Sequence, residues 1–307
     1  MNYLLKTKKI SVLLLVVILF CVTLTAIGCQ SQSEEASGEI TKLRFGSTPG
    51  EDIKQMEARY EPLVEYLSRE LDMEVELFIG TDYTATVEAM RAGNLDVAMF
   101  GPFSYVLAND LAGAEAFAIA YDEKMGIYYE SYIITHPDSG IEEISDLKGK
   151  TFAYVDPAST GGYLIPRMHM VEAGIDPDKD LASSVFLGGH DACAFAVKNK
   201  EVDAAAIVKG QYDFLMEKGE ISEENVKIIH TSDKFPGGPL AYRKDLPEEL
   251  KTKIKDLIVN MPQEEIDNMK GILFRGDVTK YVEANDEDWN IIRKCAEVLD
   301  LDLEEMK

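Results

Sequence analysis

The sequence predicts an α/β fold built on parallel sheets. From Leu43 onward, strand-length apolar runs alternate with segments of helical periodicity. Turns rich in Ser, Thr, Gly and Pro fall where the strand runs end. No internal repeat interrupts this alternation.

Leu43 to Ser47 reads as the first strand and Ser47-Thr48-Pro49-Gly50 as its turn. In the helix from Met56 to Leu71, Leu63, Val64, Leu67 and Leu71 line one side. Val75 to Ile79 is a strand. Thr81-Asp82-Tyr83-Thr84 opens a helix through Met90, which Gly93-Asn94 closes. Val97 to Phe100 is a short buried strand broken by Gly101-Pro102, and Phe103 to Ala112 is helical. Ala116 to Tyr121 and Tyr128 to Thr135 are further strands. Ile144 to Lys150 holds a short helix ending in Gly149. Thr151 to Val155 is a buried strand, and Tyr163 to Ala173 is the helix after it. Pro166 lies inside that helix, which either kinks there or becomes regular only from Pro166. Val185 to Leu187, Val202 to Val208, Val226 to His230 and Leu240 to Arg243 are strands, with a helix from Ala192 to Asn199. Leu246 to Lys307 reads as a helical tail.

The N-terminus reads as a targeting segment. Lys6, Lys8 and Lys9 precede an apolar run from Ile10 to Val22, and small residues lead to Cys29. The run is short for a bilayer, which needs roughly 20 residues. Leu24-Thr25-Ala26-Ile27-Gly28-Cys29 is similar to a bacterial lipobox, in which the Cys is lipidated. Residues 1–28 are thus expected to be a signal peptide, and 29–39 a lipid-anchored flexible tether. The protein is expected on the outer side of the cell membrane.

The chain carries 31 basic and 55 acidic residues, a net charge of −24. Its first 28 residues hold three Lys and no acid, so the remainder is more acidic still. That argues against nucleic acid and anionic surfaces as partners. It leaves room for a small anion, because aimed N–H groups act at contact while distant charge is screened within about 8 Å. Of four Cys, Cys193 and Cys295 lie in the body of the chain, within apolar helical patterns. Buried free thiols are the expectation. No His/Cys cluster has metal-ligand spacing, and no metal or cofactor is expected.

The most informative stretch is Asp156-Pro157-Ala158-Ser159-Thr160-Gly161-Gly162. A strand that ends there and opens a helix aims several backbone N–H groups at one spot, with partial positive charge from the helix dipole. Two hydroxyls stand beside them, and two glycines allow close approach. Such a turn can hold a small oxyanion. Ser and Thr also serve as ordinary N-caps.

Several turns together resemble one family. They are Thr81-Asp82-Tyr83, Leu95 to Tyr105, Asp156 to Pro166, Gly189-His190-Asp191, and Pro236-Gly237-Gly238-Pro239 before Tyr242-Arg243. The chain resembles the phosphonate, phosphite and phosphate-binding proteins of ABC importers, the PhnD-like group, over roughly Leu43 to Ile272. The resemblance implies a type II periplasmic-binding-protein fold, with two parallel-sheet lobes joined by a two-strand hinge. The lobes would be 40–131 plus 240–307, and 132–239. The ligand would lie in the cleft, and a monomer would deliver it to an ABC permease.

The resemblance also assigns roles. Ser159, Thr160 and Gly161 would take the phosphorus oxyanion, Tyr83 would donate its phenol, and His190 would donate an N–H, either from the neutral ring or as imidazolium beside a dianion. Phe100 would be wall, with Gly101 and Tyr105 from the same stretch counted in the site. Asp191 would orient the imidazole, accept from a protonated ligand oxygen, or serve only as a helix-start acid. Binders of aminoalkylphosphonates carry two acids for the ammonium. Here those positions fall on Gly210 and Gly238. An unpaired buried ammonium is costly, so the expectation is phosphite, methylphosphonate or phosphate rather than 2-aminoethylphosphonate. No Gly-x-Ser-x-Gly elbow surrounds Ser159, which argues against an enzyme. The alternative is a receptor of the same fold feeding a membrane histidine kinase.

Overall fold

The computed structural model describes residues 40–301. The signal segment, the tether and Cys29 lie outside the described residues. From Thr41 on, the described chain forms one compact unit.

Apolar β-runs and amphipathic helices place two sheets in this unit. Strand β1 (Lys42–Ser47) leads to helix α1 (Ile53–Leu71), whose N-cap Asp52 accepts from the Lys54 and Gln55 N–H groups. The buried face of α1 includes Met56, Tyr60, Leu63 and Leu67. Then come β2 (Glu74–Ile79), α2 (Tyr83–Arg91), β3 (Val97–Met99) and α3 (Pro102–Ala112). Asp82 caps α2 by accepting from Ala85 N–H at 2.6 Å. Pro102 occupies the first turn of α3, where its missing N–H costs nothing. Strands β4 (Glu115–Asp122), β5 (Tyr128–Tyr129), β6 (Ser131–Thr135) and β7 (Thr151–Tyr154) follow.

After β7, Thr160–Leu164 form a π-helical turn, and α4 (Ile165–Glu172) continues from it. Pro166 lies in the first turn of α4, so the regular helix begins there rather than kinking. The chain proceeds through β8 (Ser183–Phe186), α5 (His190–Lys198), β9 (Ala204–Val208), α6 (Lys209–Glu217) and β10 (Lys227–Thr231). It returns through β11 (Phe235–Pro236) and β12 (Pro239–Tyr242). Helices α7 (Glu248–Val259) and α8 (Gln263–Met269), strand β13 (Val278–Glu283) and α9 (Asn290–Val298) complete it.

The first sheet has the order β13-β4-β12-β3-β1-β2, the second β10-β6-β9-β7-β8. The parallel pairs are β1 with β2 and β3, and β7 with β8 and β9. The strands nearest the crossing points, β4, β6 and β12, pair antiparallel with their neighbours. Between the sheets, β5 and β11 pair antiparallel as a two-stranded ribbon.

Three expectations change. The run from Tyr128 to Thr135 is two strands rather than one, because the chain leaves one sheet system for the other at Glu130. Ser131 already pairs in the second sheet, and Pro239 in the first. Helix α6 was not expected, since Gly210 in its first turn obscures the periodicity. The tail is not all helix. Gly271 and Gly276 take left-handed backbone (φ 79° and 63°), and the β-branched and aromatic run Val278-Thr279-Lys280-Tyr281-Val282 forms the edge strand β13. Cys193 and Cys295 are buried free thiols, and burial pushes both upward in pKa. No helix among the described residues is long and apolar enough to cross a membrane.

Candidate functional site

A cavity of about 640 Å³ lies among the ends of β1, β3, β7 and β9, a volume typical of small-molecule sites. Ser159, Thr160, Gly161, Tyr83, Phe100 and Gly101 line it together with His190. The turn after β7 is shaped by its own residues. Asp156 Oδ1 accepts from Ala158 N–H at 2.8 Å, and Ser159 Oγ accepts from Gly162 N–H at 3.1 Å. A Cβ on Gly161 would stand 2.5 Å from Val208 Cγ1, and one on Gly162 would overlap Val155. Both glycines are there because the turn is pressed onto the second sheet.

This geometry leaves donors free. Among the described residues no protein acceptor faces the Thr160 and Gly161 N–H groups. Ser159 Oγ already accepts a bond, and Thr160 Oγ1 accepts from Phe103 N–H at 2.7 Å. Each hydroxyl keeps its own proton to donate. The Tyr83 phenol meets the Ser159 side chain, and the Tyr129 phenol meets Thr160. Burial pushes both phenols up, so they stay protonated donors.

Of the two forms expected for His190, the structure has the neutral one. Its Nδ1 accepts from Val208 N–H at 3.3 Å, which places the proton on Nε2. Burial pushes the imidazole down to about 3. The ring is therefore a neutral N–H donor here, not an imidazolium. The unfolded residue titrates near 6.5, so only the unfolded chain takes up that proton between these values. Stability is complete above about pH 6.5 and falls as pH drops toward 3. At pH 5 the loss from His190 is about 2 kcal/mol. Burial also lowers His230, beside His169, which adds in the same direction. Thermal unfolding at pH 7.5 and pH 5 should show the loss, and His190→Gln should flatten it. An equal slope in the variant would contradict this account.

Residues 45–289 match the family described as ABC transporter, phosphonate, periplasmic substrate-binding protein. The chain belongs to this family. It is 33% identical over 251 residues to the phosphate-import protein PhnD of Mycolicibacterium smegmatis, covering 77% of this chain and 78% of that one. It is 32% identical over 224 residues to the phosphonates-binding periplasmic protein of Escherichia coli, covering 71% of this chain and 65% of that protein. The binding-protein component of an ABC phosphonate transporter from Pseudomonas aeruginosa superposes with a TM-score of 0.77 at 27% identity, covering 83% and 85% of the two chains. The fold is that of type II periplasmic binding proteins, and the family binds substrates for transport rather than transforming them.

Two expected site residues stand elsewhere. Tyr105 is fully buried, donates to Asp286 Oδ1 at 2.8 Å and packs edge-on against Trp289. It is a core residue under the site. Asp191 does not line the cavity. Its Oδ2 accepts from Asp52 N–H at 3.1 Å and its Oδ1 from Ala192 N–H at 2.9 Å. Neither bond goes to the His190 ring.

Sequence reasoning missed Tyr129, Glu51, Gln211 and Arg275, all of which line the cavity. Tyr129 was hidden in a strand read as one piece. Glu51 follows a turn that had been noted only for Ser47 and Thr48. Gln211 lies in α6, which was not expected, and Arg275 lies after α8 in a tail read as continuous helix. Glu51 is a carboxylate in the cavity wall, but it is taken. Arg275 reaches its Oε2 at 2.9 Å, Gln211 Nε2 the same oxygen at 3.3 Å, and Arg59 its Oε1 at 3.5 Å.

Proposed function

We propose that this chain is a lipid-anchored extracytoplasmic receptor, held by Cys29, that delivers a small phosphorus oxyanion to an ABC permease as a monomer. The ligand is phosphite, methylphosphonate or phosphate rather than 2-aminoethylphosphonate. The observation that carries this is the turn at Ser159-Thr160-Gly161. There, unpartnered N–H groups and hydroxyl protons converge with Tyr83, Tyr129 and the His190 N–H. The hydroxyls, phenols and N–H groups can each offer a proton, which suits an anion rich in acceptor oxygens. The cavity's acids are mostly engaged elsewhere. Glu51 is neutralised by two arginines, Asp213 and Asp277 at the edge pair with Lys209 and Lys124, Asp122 Oδ1 accepts from the Lys124 and Met125 N–H groups, and Glu217 is exposed. The relatives at about a third identity that span most of the chain are transport proteins, which favours import over a sensor feeding a histidine kinase.

A thermal-shift titration of the chain from Gln30 onward tests this. The panel is phosphite, phosphate, methylphosphonate, hypophosphite, sulfate and 2-aminoethylphosphonate. A ligand at a hundred times its Kd adds about 2.7 kcal/mol and raises Tm by several degrees. A shift with one small phosphorus oxyanion and none with the amino compound is expected. A dominant shift with 2-aminoethylphosphonate would refute the ligand class.

Gly210 provides a second test. It lines the cavity, and a Cβ there meets nothing within 4 Å. Gly210→Asp should fold normally and lower oxyanion affinity about tenfold by adding like charge. It should also improve the standing of 2-aminoethylphosphonate. Unchanged relative affinities by calorimetry would show that residue 210 does not face the ligand.

A further inference from the structure

We infer that Asp191 is the bolt of a latch that holds the two lobes closed independently of the ligand. This rests on the reading of the cavity as a cleft that opens and closes. Asp191 lies in the first turn of α5, on the second-sheet side. Its Oδ1 accepts from Ala192 N–H in its own helix, and its Oδ2 from the N–H of Asp52, the N-cap of α1 on the first-sheet side. One carboxylate thus serves the positive N-terminal ends of two helices that meet from different lobes. Both helix dipoles attract it, and only the closed arrangement supplies both.

The neighbours of Asp52 continue the contact. The His190 backbone N–H donates to Gly50 O at 3.0 Å. Gln211 Nε2 donates to Glu51 Oε2 at 3.3 Å, and the Glu51 side chain is only 1% exposed. Three consecutive residues, Gly50, Glu51 and Asp52, therefore each bond to the other lobe. Arg275 reinforces the strap from the first-sheet side. Its guanidinium lies 3.9 Å from the centre of the Phe214 ring and donates to Gln211 Oε1 at 3.4 Å. None of these bonds passes through the free donors at Ser159, Thr160 or Gly161. The latch and the oxyanion turn can therefore be altered separately.

Opening the cleft must break the Asp52–Asp191 bond, whereas unfolding of either lobe need not depend on it. Asp191→Ala removes the bolt, and Asp191→Asn keeps one acceptor oxygen for two donors. Small-angle X-ray scattering of the ligand-free chain from Gln30 onward reads the result without any ligand. The wild type is expected to be the most compact on average, Asp191→Ala the most expanded, and Asp191→Asn between them. The closed-to-open ratio should fall about tenfold in Asp191→Ala, as for loss of one charge-assisted hydrogen bond. Identical profiles for wild type and Asp191→Ala would overturn the latch. With phosphite as probe, Asp191→Ala should release it about tenfold faster. If phosphite does not bind but the scattering still shifts, the latch stands and only the ligand assignment fails.

Discussion

The double substitution Ser159→Ala and Thr160→Ala is expected to weaken phosphorus-oxyanion binding by about 10²- to 10⁴-fold. Hydrogen bonds to a charged group are worth about 1.5–3 kcal/mol each, and two are lost. Thr160 carries a second cost. Its Oγ1 accepts the Phe103 N–H across the cleft at 2.7 Å, and alanine leaves that buried N–H without its acceptor. Ser159→Ala removes only a donor and the cap on Gly162. The two single variants should therefore differ, with Thr160→Ala the more damaging to closure. Isothermal titration with phosphite, methylphosphonate and phosphate measures the loss, and Tm measures whether the fold persists. A double variant that keeps its Tm and binds within about threefold of wild type would remove the turn from the binding site.

Gly238→Asp is expected to destabilise the protein by about 3 kcal/mol or more, lowering Tm by roughly 6–12 °C. A Cβ at residue 238 would fall onto the Phe100 carbonyl oxygen, with Phe100 C at 2.9 Å and Gly101 Cα at 3.1 Å. These are backbone atoms, and the backbone here is tied by Phe100 N–H donating to Pro239 O at 3.0 Å. It cannot move aside as a flexible side chain would. Gly210→Asp, in open space, is the control and should leave Tm nearly unchanged. The absence of an acid at residue 238 is thus built into the path of the hinge loop. A carboxylate there needs a different backbone, so no single substitution restores it. A folded Gly238→Asp variant with wild-type Tm would show that the loop has slack not visible in its contacts.

Much of this was legible in the chain. The Asp156–Gly162 turn announced itself because strand, Ser-Thr hydroxyls and paired glycines are local features, and local features survive into the structure. Pro166 narrowed the helix to a kink or a late regular start, and the structure shows the late start. What was not legible depends on which segments meet. Asp191 reads as a helix-start acid, and it is one. Its second partner is the N–H of Asp52, 139 positions away in the chain. Tyr105 shares a stretch with Phe100 and Gly101, but helical geometry turns it toward Trp289 and away from the cavity. Glu51 looked like any surface acid in a chain with 55 of them, and its burial follows from Arg59 and Arg275 closing over it. Strand β13 was lost in a tail whose charge density suits a helix; its β-branched run is decided by the open edge of β4.

The order of strands in the first sheet has a consequence for how the protein is made. Strand β12 lies between β4 and β3, so that sheet stays in two pieces until Tyr242 has left the ribosome or the export channel. The second sheet uses only residues between Ser131 and Thr231 and has all its strands earlier. During vectorial synthesis the half bearing Ser159, Thr160 and His190 is the first able to fold. The N-terminal half, though older, must wait with its strand edges exposed. Chaperone protection and export timing then matter most for residues 42–122, the segment that emerges first and whose sheet is completed last.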